Sequence, residues 1–387
     1  MAPRARARFR SHSAVVHRPR VLLAQTWWED RVLRGVADYA AKHNWELECR
    51  MHWTHQLPAA REWRGDGIIA FAGVSREQQP ARRRLLEFVR RARVPVVDTQ
   101  PLGNLLSAPK VFVPHEDVGR LAAKYFLGLN FRHVGFVTFD ENPLEAQRRL
   151  AFQRAIEAAG AAFHALTPRS LRRTIARLPR PMALFAVNDA NALEVVRACH
   201  DAGARVPEEF AVLGVDDTDI VCDLSAVPLS SINCNFERQG YEAAALLDRR
   251  MRGEPKPRMP LRIAPRGVTV RRSTDLPAIP HLDTARLLRF LRDHYREPLT
   301  VQQAGEKTGV RLRQVHETFR EHVGHTMHRE LTRLRVAHAK TLLGDSKQKL
   351  AAIAVESGFA NRFHFVRAFR RLTGQTPSSW RRSLRAA

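Results

Sequence analysis

The sequence predicts a two-lobed α/β body followed by an all-α domain built on two copies of one helix–turn–helix plan. Three features point to it. Between Val21 and about residue 274, short apolar or β-branched runs alternate with amphipathic segments, the pattern of parallel sheets with crossover helices. Beyond Leu276–Pro280, which holds two prolines in five residues, only helical periodicity remains. The chain's excess positive charge is also denser in that helical part than in the α/β body.

The strands follow from the apolar runs. In the first series they fall at Val21–Gln25, Glu46–Met51, Gly67–Phe71, Pro95–Asp98 and Val111–Val113. A second series lies at His133–Phe139, Phe163–Leu166, Met182–Val187 and Phe210–Val215, with a last run at Val268–Thr274. The intervening 3.6-residue periodicity predicts helices over Arg31–Lys42, Arg82–Ala92, Asp117–Leu129, Glu145–Ala159 and Ala190–Ala202. These βα units are too many for one small doubly wound sheet. Two consecutive lobes with a cleft between them accommodate them better.

The C-terminal part reads as seven short helices. They are expected at Thr284–His294, Val301–Thr308, Leu312–His322, His325–Leu343, Leu350–Ser357, Arg362–Leu372 and Pro377–Ser383. The expected organisation is a basic, disordered tail over 1–20, a body over 21–274, a linker over 275–282 and the helical domain over 283–387.

Composition narrows the function classes. The 387 residues carry 64 Lys+Arg against 39 Asp+Glu, a formal charge of +25 that favours a polyanionic partner, nucleic acid or an anionic membrane surface. From Asp275 onward the net charge is +11 in 113 residues, and the first twenty residues hold +6. The 254 residues between hold only +8, so the polyanion reading attaches to the helical domain. No apolar run approaches the roughly 18 residues of a spanning helix, and the first twenty lack the apolar stretch of a secretory signal. A cytoplasmic protein without a membrane partner is expected. Cys49, Cys199, Cys222 and Cys234 lack metal-ligand spacing and read as reduced, mostly buried thiols. No GxSxG, HExxH, GxxxxGK or GxGxxG occurs, so neither an enzyme nor a cofactor or metal site is expected. His115, Glu116 and Asp117 are adjacent, and neighbouring residues rarely point the same way, which argues against a metal or acid–base centre there.

Two segments of the helical domain repeat one plan. In Val301–Gly324 and Leu350–Gly374, a short helix meets Gly309 or Gly358, which permits the left-handed backbone of a tight turn. Val310 or Phe359 follows as a buried plug, Phe319 or Phe369 anchors the second helix, and Gly324 or Gly374 ends it. One such turn is weak evidence. Two at matched offsets in a domain more basic than the α/β body predict a duplicated DNA reader, with recognition helices at 312–322 and 362–372. The tandem resembles the AraC-type family of DNA-binding domains over about 285–382, through RVAHAKTLL (335–343), IAVESGF (353–359), Phe363–Phe369 and GQTPSSWR (374–381). That resemblance implies a bridging helix near 327–343 that spaces the readers for two successive major grooves. On matching positions it implies Arg311, Arg313, Gln314 and His316 in the first reader and Asn361, Arg362, His364 and Arg367 in the second. Arg suits guanine and Gln or Asn suits adenine, while His and some Arg touch phosphate; a solvated helix face is the plain alternative for any one of them. Glu317 departs from the basic residue common at its position and either accepts from cytosine N4 or weakens the grip.

In the body, polar residues collect at strand ends, where open parallel sheets bind ligands. Asn188 and Asp189 follow LFAV, Asp216 and Asp217 follow LGV, and Arg148 and Arg149 open a helix after the strand GFVTF. Amide, carboxylate and guanidinium groups complement sugar hydroxyls, although Asp189 and Asp217 equally suit helix capping. NDANAL (188–193), GVDDTD (214–219) and the Arg148-to-Phe152 spacing resemble the sensor domain of lactose-repressor-type regulators and, over residues 21 to about 274, the type I periplasmic sugar-binding fold. The resemblance implies Arg148, Asn188 and Asp216 as ligand contacts. It also implies a segment at 229–247 that returns between the lobes and forms a dimer-related helix. Pro114 and His115 stand where such proteins carry Asp-Asn, and the usual N-terminal headpiece is absent. In QTWWEDRVLRGVADYA (25–40), Trp27 and Trp28 offer either an apolar platform for a pyranose or a core contact, and Asp30 and Arg31 are candidate polar contacts.

The domain order is similar to that of xylose-type operon regulators. It implies a cytoplasmic homodimer that binds a pentose-like sugar and double-stranded DNA half-sites, works with RNA polymerase, and activates a sugar catabolic operon. Two other readings stay open on the residues alone: a sugar-binding or sugar-modifying protein with a merely solubilising basic domain, and a DNA-architectural protein whose body has lost its ligand.

Overall fold

The computed structural model describes residues 17–386 except 28, 55, 59–61, 74–77, 104–105, 139–141 and 346–347. Trp28 and most of the basic tail therefore lie outside the described residues. In chain order the body runs β1 (Arg20–Gln25), α1 (Asp30–Lys42), β2 (Glu46–Glu48), α2 (Arg50–Thr54), β3 (Gly67–Phe71), α3 (Gln79–Ala92), β4 (Val96–Asp98), β5 (Val111–Phe112) and α4 (His115–Gly128). It continues with β6 (His133–Val137), α5 (Pro143–Ala158), β7 (Ala162–Leu166), α6 (Pro168–Thr174), β8 (Met182–Ala186), α7 (Asp189–Asp201), β9 (Phe210–Val215), α8 (Asp219–Leu224), β10 (Ser230–Asn233), α9 (Phe236–Met251), β11 (Leu261–Arg262) and β12 (Gly267–Thr269). The C-terminal part holds α10 (Leu282–His294), α11 (Val301–Thr308), α12 (Leu312–Val323), α13 (Met327–Asp345), α14 (Leu350–Glu356), α15 (Arg362–Thr373) and α16 (Pro377–Ala386).

The chain divides into two compact units, and the lobes are interleaved rather than consecutive. The first unit takes residues 1–117, 142–146 and 234–266, and the second takes the rest. The segment 229–247 thus straddles both, as the resemblance implied.

In the first unit a parallel sheet of order β2-β1-β3-β4 buries Leu22, Ala24, Ile68 and Ala70 beneath Leu85 and Phe88 of α3. On α1 and α9, Gly35 and Gly240 let the two backbones approach. A Cβ on Gly35 would sit 1.9 Å from the Glu237 carbonyl oxygen, and one on Gly240 would sit 2.1 Å from that of Val32. Tyr39 of α1 donates to Asp248 of α9 at 2.8 Å in the interior. The strand expected over Glu46–Met51 stops at Glu48, because the Glu48 carboxylate accepts from the Arg50 backbone N–H at 3.0 Å and turns the chain into α2.

The second unit holds the six-stranded sheet β12-β10-β9-β8-β6-β7, parallel except for the edge strand β12. Phe136, Phe152 and Phe185 pack on one another in its core with no exposed surface, Phe136 and Phe185 edge to face. The last run expected as a strand, Val268–Thr274, pairs only as far as Thr269 and ends in a 3-10 turn at Arg272–Thr274. Residues 275–282, expected as a linker, are packed: Leu276 and Ile279 join Leu287, Leu288 and Phe319 in one core cluster.

Cys199, Cys222 and Cys234 are buried free thiols and Cys49 is half-buried. Burial pushes Cys49 up to about 11 and Cys199 up to about 12. No helix among the described residues is long and apolar enough to cross a membrane.

Candidate ligand site and nucleic-acid interface

At the carboxyl ends of β8 and β9 the second unit gathers three of the expected contacts. Arg148, buried on α5, donates through a terminal guanidinium nitrogen to the Val187 carbonyl, one residue before Asn188. Asn188 caps α7: its backbone is extended and its Oδ1 accepts from Asn191 N–H at 2.8 Å. Asp216 follows β9 in the left-handed region, with φ of 100°, and its N–H donates to Ile232 at 3.0 Å.

Asp189 and Asp217 have different work from the capping that their residue type allows. Asp189 is 2% exposed and accepts from Ser231 Oγ at 2.5 Å and Thr218 N–H at 2.8 Å, tying β10 and the loop after β9 to the start of α7. Burial, aided by the charge of Asp216, pushes the Asp189 carboxyl up to about 7. Gly214 on β9 makes the room, since a Cβ there would lie 2.3 Å from Asp189 Oδ1. Asp217, also left-handed at φ 56°, accepts from Thr269 at 2.6 Å, Arg271 at 2.8 Å and Asn233 at 3.1 Å. Burial raises its pKa, but these donors outweigh burial and hold the carboxyl below the usual range. Two consecutive non-glycine residues in a sparsely populated backbone region make this a strained turn. Asp217 secures that turn, and Asp216 is left half-buried at the strand end, close enough to Asp189 to raise its pKa.

The other candidates belong to the first unit. Trp27 is 40% exposed and packs on Phe71 and Phe236, with ring centroids 5.8 and 6.1 Å away. Asp30 opens α1 and is exposed. Arg31 is held by Glu29, which accepts from Nε at 2.6 Å and from a terminal nitrogen at 2.8 Å, while its guanidinium lies over the Phe236 ring. Glu29 also caps α1 and escaped the sequence reading, because a single acid before a helix carries no spacing signal. His115, Glu116 and Asp117 form the first turn of α4, and Arg262 pairs with Asp117 at 3.2 Å.

In the helical domain the repeat is realised closely. Gly309 and Gly358 take φ of 68° and 83° in the turns, and Gly324 and Gly374 take 81° and 76° where α12 and α15 end. Val310 and Phe359 are buried plugs; Phe319 and Phe369 are fully buried anchors. Val315 and Phe365 are buried at the same offset, which registers residue n of α12 with residue n plus fifty of α15. Arg311, Arg313, Gln314 and His316, and likewise Asn361, Arg362, His364 and Arg367, are all exposed. Asn361 has a second task, since its Oδ1 accepts from His364 N–H at 2.9 Å and caps α15.

The bridging helix α13 serves two cores. Met327 and Leu331 pack with α10–α12, and Val336, Ala339 and Leu343 pack with α14 and α15. Its 19 residues span about 28 Å at ~1.5 Å each, a length matched to readers about one DNA turn apart. Buried Glu330 accepts from His325 at 2.7 Å and Arg333 at 2.7 and 2.9 Å, fixing the start of α13. Arg335, from the RVAHAKTLL match, donates to the carbonyls of Tyr295, Glu297 and Leu299 at 2.8, 2.8 and 2.9 Å. It closes the loop between α10 and α11.

Comparison with known proteins accords with both halves. Residues 123–274 match a periplasmic binding protein-like domain and residues 304–383 match a helix-turn-helix domain. The chain is 25% identical over 376 residues to the xylose operon regulatory protein of Escherichia coli K12, covering 92% of this chain and 94% of that one. Over 91 residues it is 35% identical to the transcriptional activator RhaS of Escherichia fergusonii, which is 24% of this chain and 33% of the relative. The solved structure of a xylose-binding transcription activator matches with a TM-score of 0.69 at 21% identity, covering 95% of this chain and 99% of that one. Over nearly its whole length the chain is similar to a transcription regulator, with a periplasmic binding protein-like match in its body and a helix-turn-helix match in its C-terminal domain.

Proposed function

We propose that this regulator senses a sugar of the pentose, xylose-like class and activates a catabolic operon, working in the cytoplasm as a homodimer that contacts RNA polymerase and performs no catalytic step. The observation that carries the sensing half is the convergence of Arg148, Asn188 and the strained Asp216 on the ends of β8 and β9, where donors and an acceptor complement vicinal hydroxyls. In the first unit, Trp27 offers an indole face for the C–H side of a pyranose. Asp30 is a further polar contact, and Arg31 contributes through the Glu29 pair that orients it. DNA is contacted by Arg311, Arg313, Gln314 and His316 in one groove and by Asn361, Arg362, His364 and Arg367 in the next, with His and some Arg on phosphate and the others on base edges. The sensor extends over 21–274 and the reader over 283–387. Sugar changes DNA affinity because it binds two states of the body unequally, and the coupling is reciprocal.

The test is a thermal-shift panel of pentoses, hexoses and uronic acids on the full chain and on Asp216→Ala. A pentose that raises the melting temperature of the parent and not of the variant supports the assignment. An equal shift in both contradicts the pocket.

A further inference from the structure

Phe363 is the second residue of α15 and is 70% exposed. Its helix needs no apolar group there, because Phe365 and Phe369 already fill the core with no exposed surface. Residues four apart share a helix face, so the phenyl ring lies on the face of Arg367, flanked in sequence by Arg362 and His364. Its ring meets His364 edge-on at 6.0 Å. Covering the ring with an apolar group is favourable, as for any exposed apolar surface.

The internal repeat indicates what covers it. The buried pairs Val315/Phe319 and Phe365/Phe369 set the register, which places Phe363 where the first reader carries Arg313. The two slots are equivalent in the fold and opposite in chemistry. Of the groups that base pairs display in the major groove, the apolar one is the C5-methyl of thymine, whereas guanine N7 and O6 suit Arg.

We propose that Phe363 is a specificity-determining residue that packs on a thymine methyl, so that the second reader selects thymine in the slot where the first selects guanine. This rests on α15 being a recognition helix. The partner is committed as duplex DNA because the ring shares its face with Arg367 and adjoins two further residues suited to DNA, while the domain around it holds +11 of the chain's +25.

The experiment begins by selecting the preferred duplex from a random pool with the full-length protein. Each thymine of the selected duplex is then replaced singly by deoxyuridine, which removes only the methyl group. One replacement is expected to weaken binding of the parent about fourfold, the worth of roughly one buried carbon, and to leave Phe363→Ala unaffected. Phe363→Arg is expected to shift the preference at that pair from thymine toward guanine, and the exposed position predicts unchanged melting temperatures for both variants. Specific binding that depends on Arg313 and Arg362, with no replacement separating the parent from Phe363→Ala, overturns the thymine contact alone. Failure to enrich any sequence overturns the reader assignment and this inference with it.

Discussion

The guanidinium of Arg289, on the first helix of the reader domain, donates to Glu208 of the sensor body at 3.1 Å and to both oxygens of Asp275 at 2.8 and 2.5 Å. Arg289 is 7% exposed, so its charge is tolerated through these carboxylates, and Asp293 adds a further contact at 3.7 Å. A buried, branched ion-pair hub of this kind resists sliding. It gives the body lobe holding Glu208 a rigid hold on α10. Arg289→Ala is expected to destabilise the protein by about 3–5 kcal/mol by leaving the carboxylates without a counter-charge. The same variant should retain DNA binding at low temperature and lose most of its sugar dependence. Calorimetry and a DNA titration with and without sugar check both, and an unchanged sugar effect would contradict the coupling role.

Asp189 predicts a pH dependence. Its folded-state pKa of about 7 lies above the ordinary 3.8, so the folded protein holds an extra proton between those values. The stability contribution is complete below about pH 4 and is lost as the pH rises through 7, on the order of 4 kcal/mol in full. Asp189→Asn should flatten urea-derived stability over that interval. A weaker slope remains from Asp98, raised to about 6 by burial. Identical slopes in parent and variant would show that Asp189 does not titrate in this way.

The crossing of α1 and α9 makes Gly35 intolerant of any side chain. A methyl at 1.9 Å from the Glu237 oxygen forces the helices apart. Gly35→Ala is expected to cost about 3 kcal/mol or more, seen as a lower denaturation midpoint. Gly160→Ala serves as a control for backbone strain, because a Cβ there meets nothing within 4 Å although φ is 71°.

Arg313→Ala and Arg362→Ala should each weaken specific binding by about 1–3 kcal/mol and relax base preference in a different major groove. The sites are carried on separate helices, so the double variant should lose about the sum. Competition binding with single-base variants of the selected duplex measures this. Unaltered preference in both variants would remove them from the base-reading set.

Much of this was legible in periodicity and punctuation. Gly67–Phe71, Phe210–Val215 and Val301–Thr308 fall where the residue pattern puts them, and the four turn glycines of the readers have the left-handed geometry that their spacing required. Short elements were not legible. α8 has six residues, too few for a helical period, and α6 is announced only by the Thr167–Ser170 capping box and Pro168. The interleaving of the lobes is a long-range property that no local run encodes. Arg289 and Arg335 were missed for a related reason: in a basic domain, an arginine that closes a loop or pairs in the interior has the same local sequence signature as one facing solvent. Asp189 and Asp217 were read as capping candidates because the partners that redefine them, Ser231, Thr269 and Arg271, are tens of residues away.

The proposed function couples sugar binding to sequence-specific DNA binding within one chain. Fluorescence anisotropy on the selected duplex measures that coupling, with full-length protein titrated in the presence and absence of the sugar that raises its melting temperature. This sugar is expected to change DNA affinity by about 5- to 150-fold in the parent and not in Asp216→Ala. Equal affinity with and without a sugar that demonstrably binds the parent would contradict it.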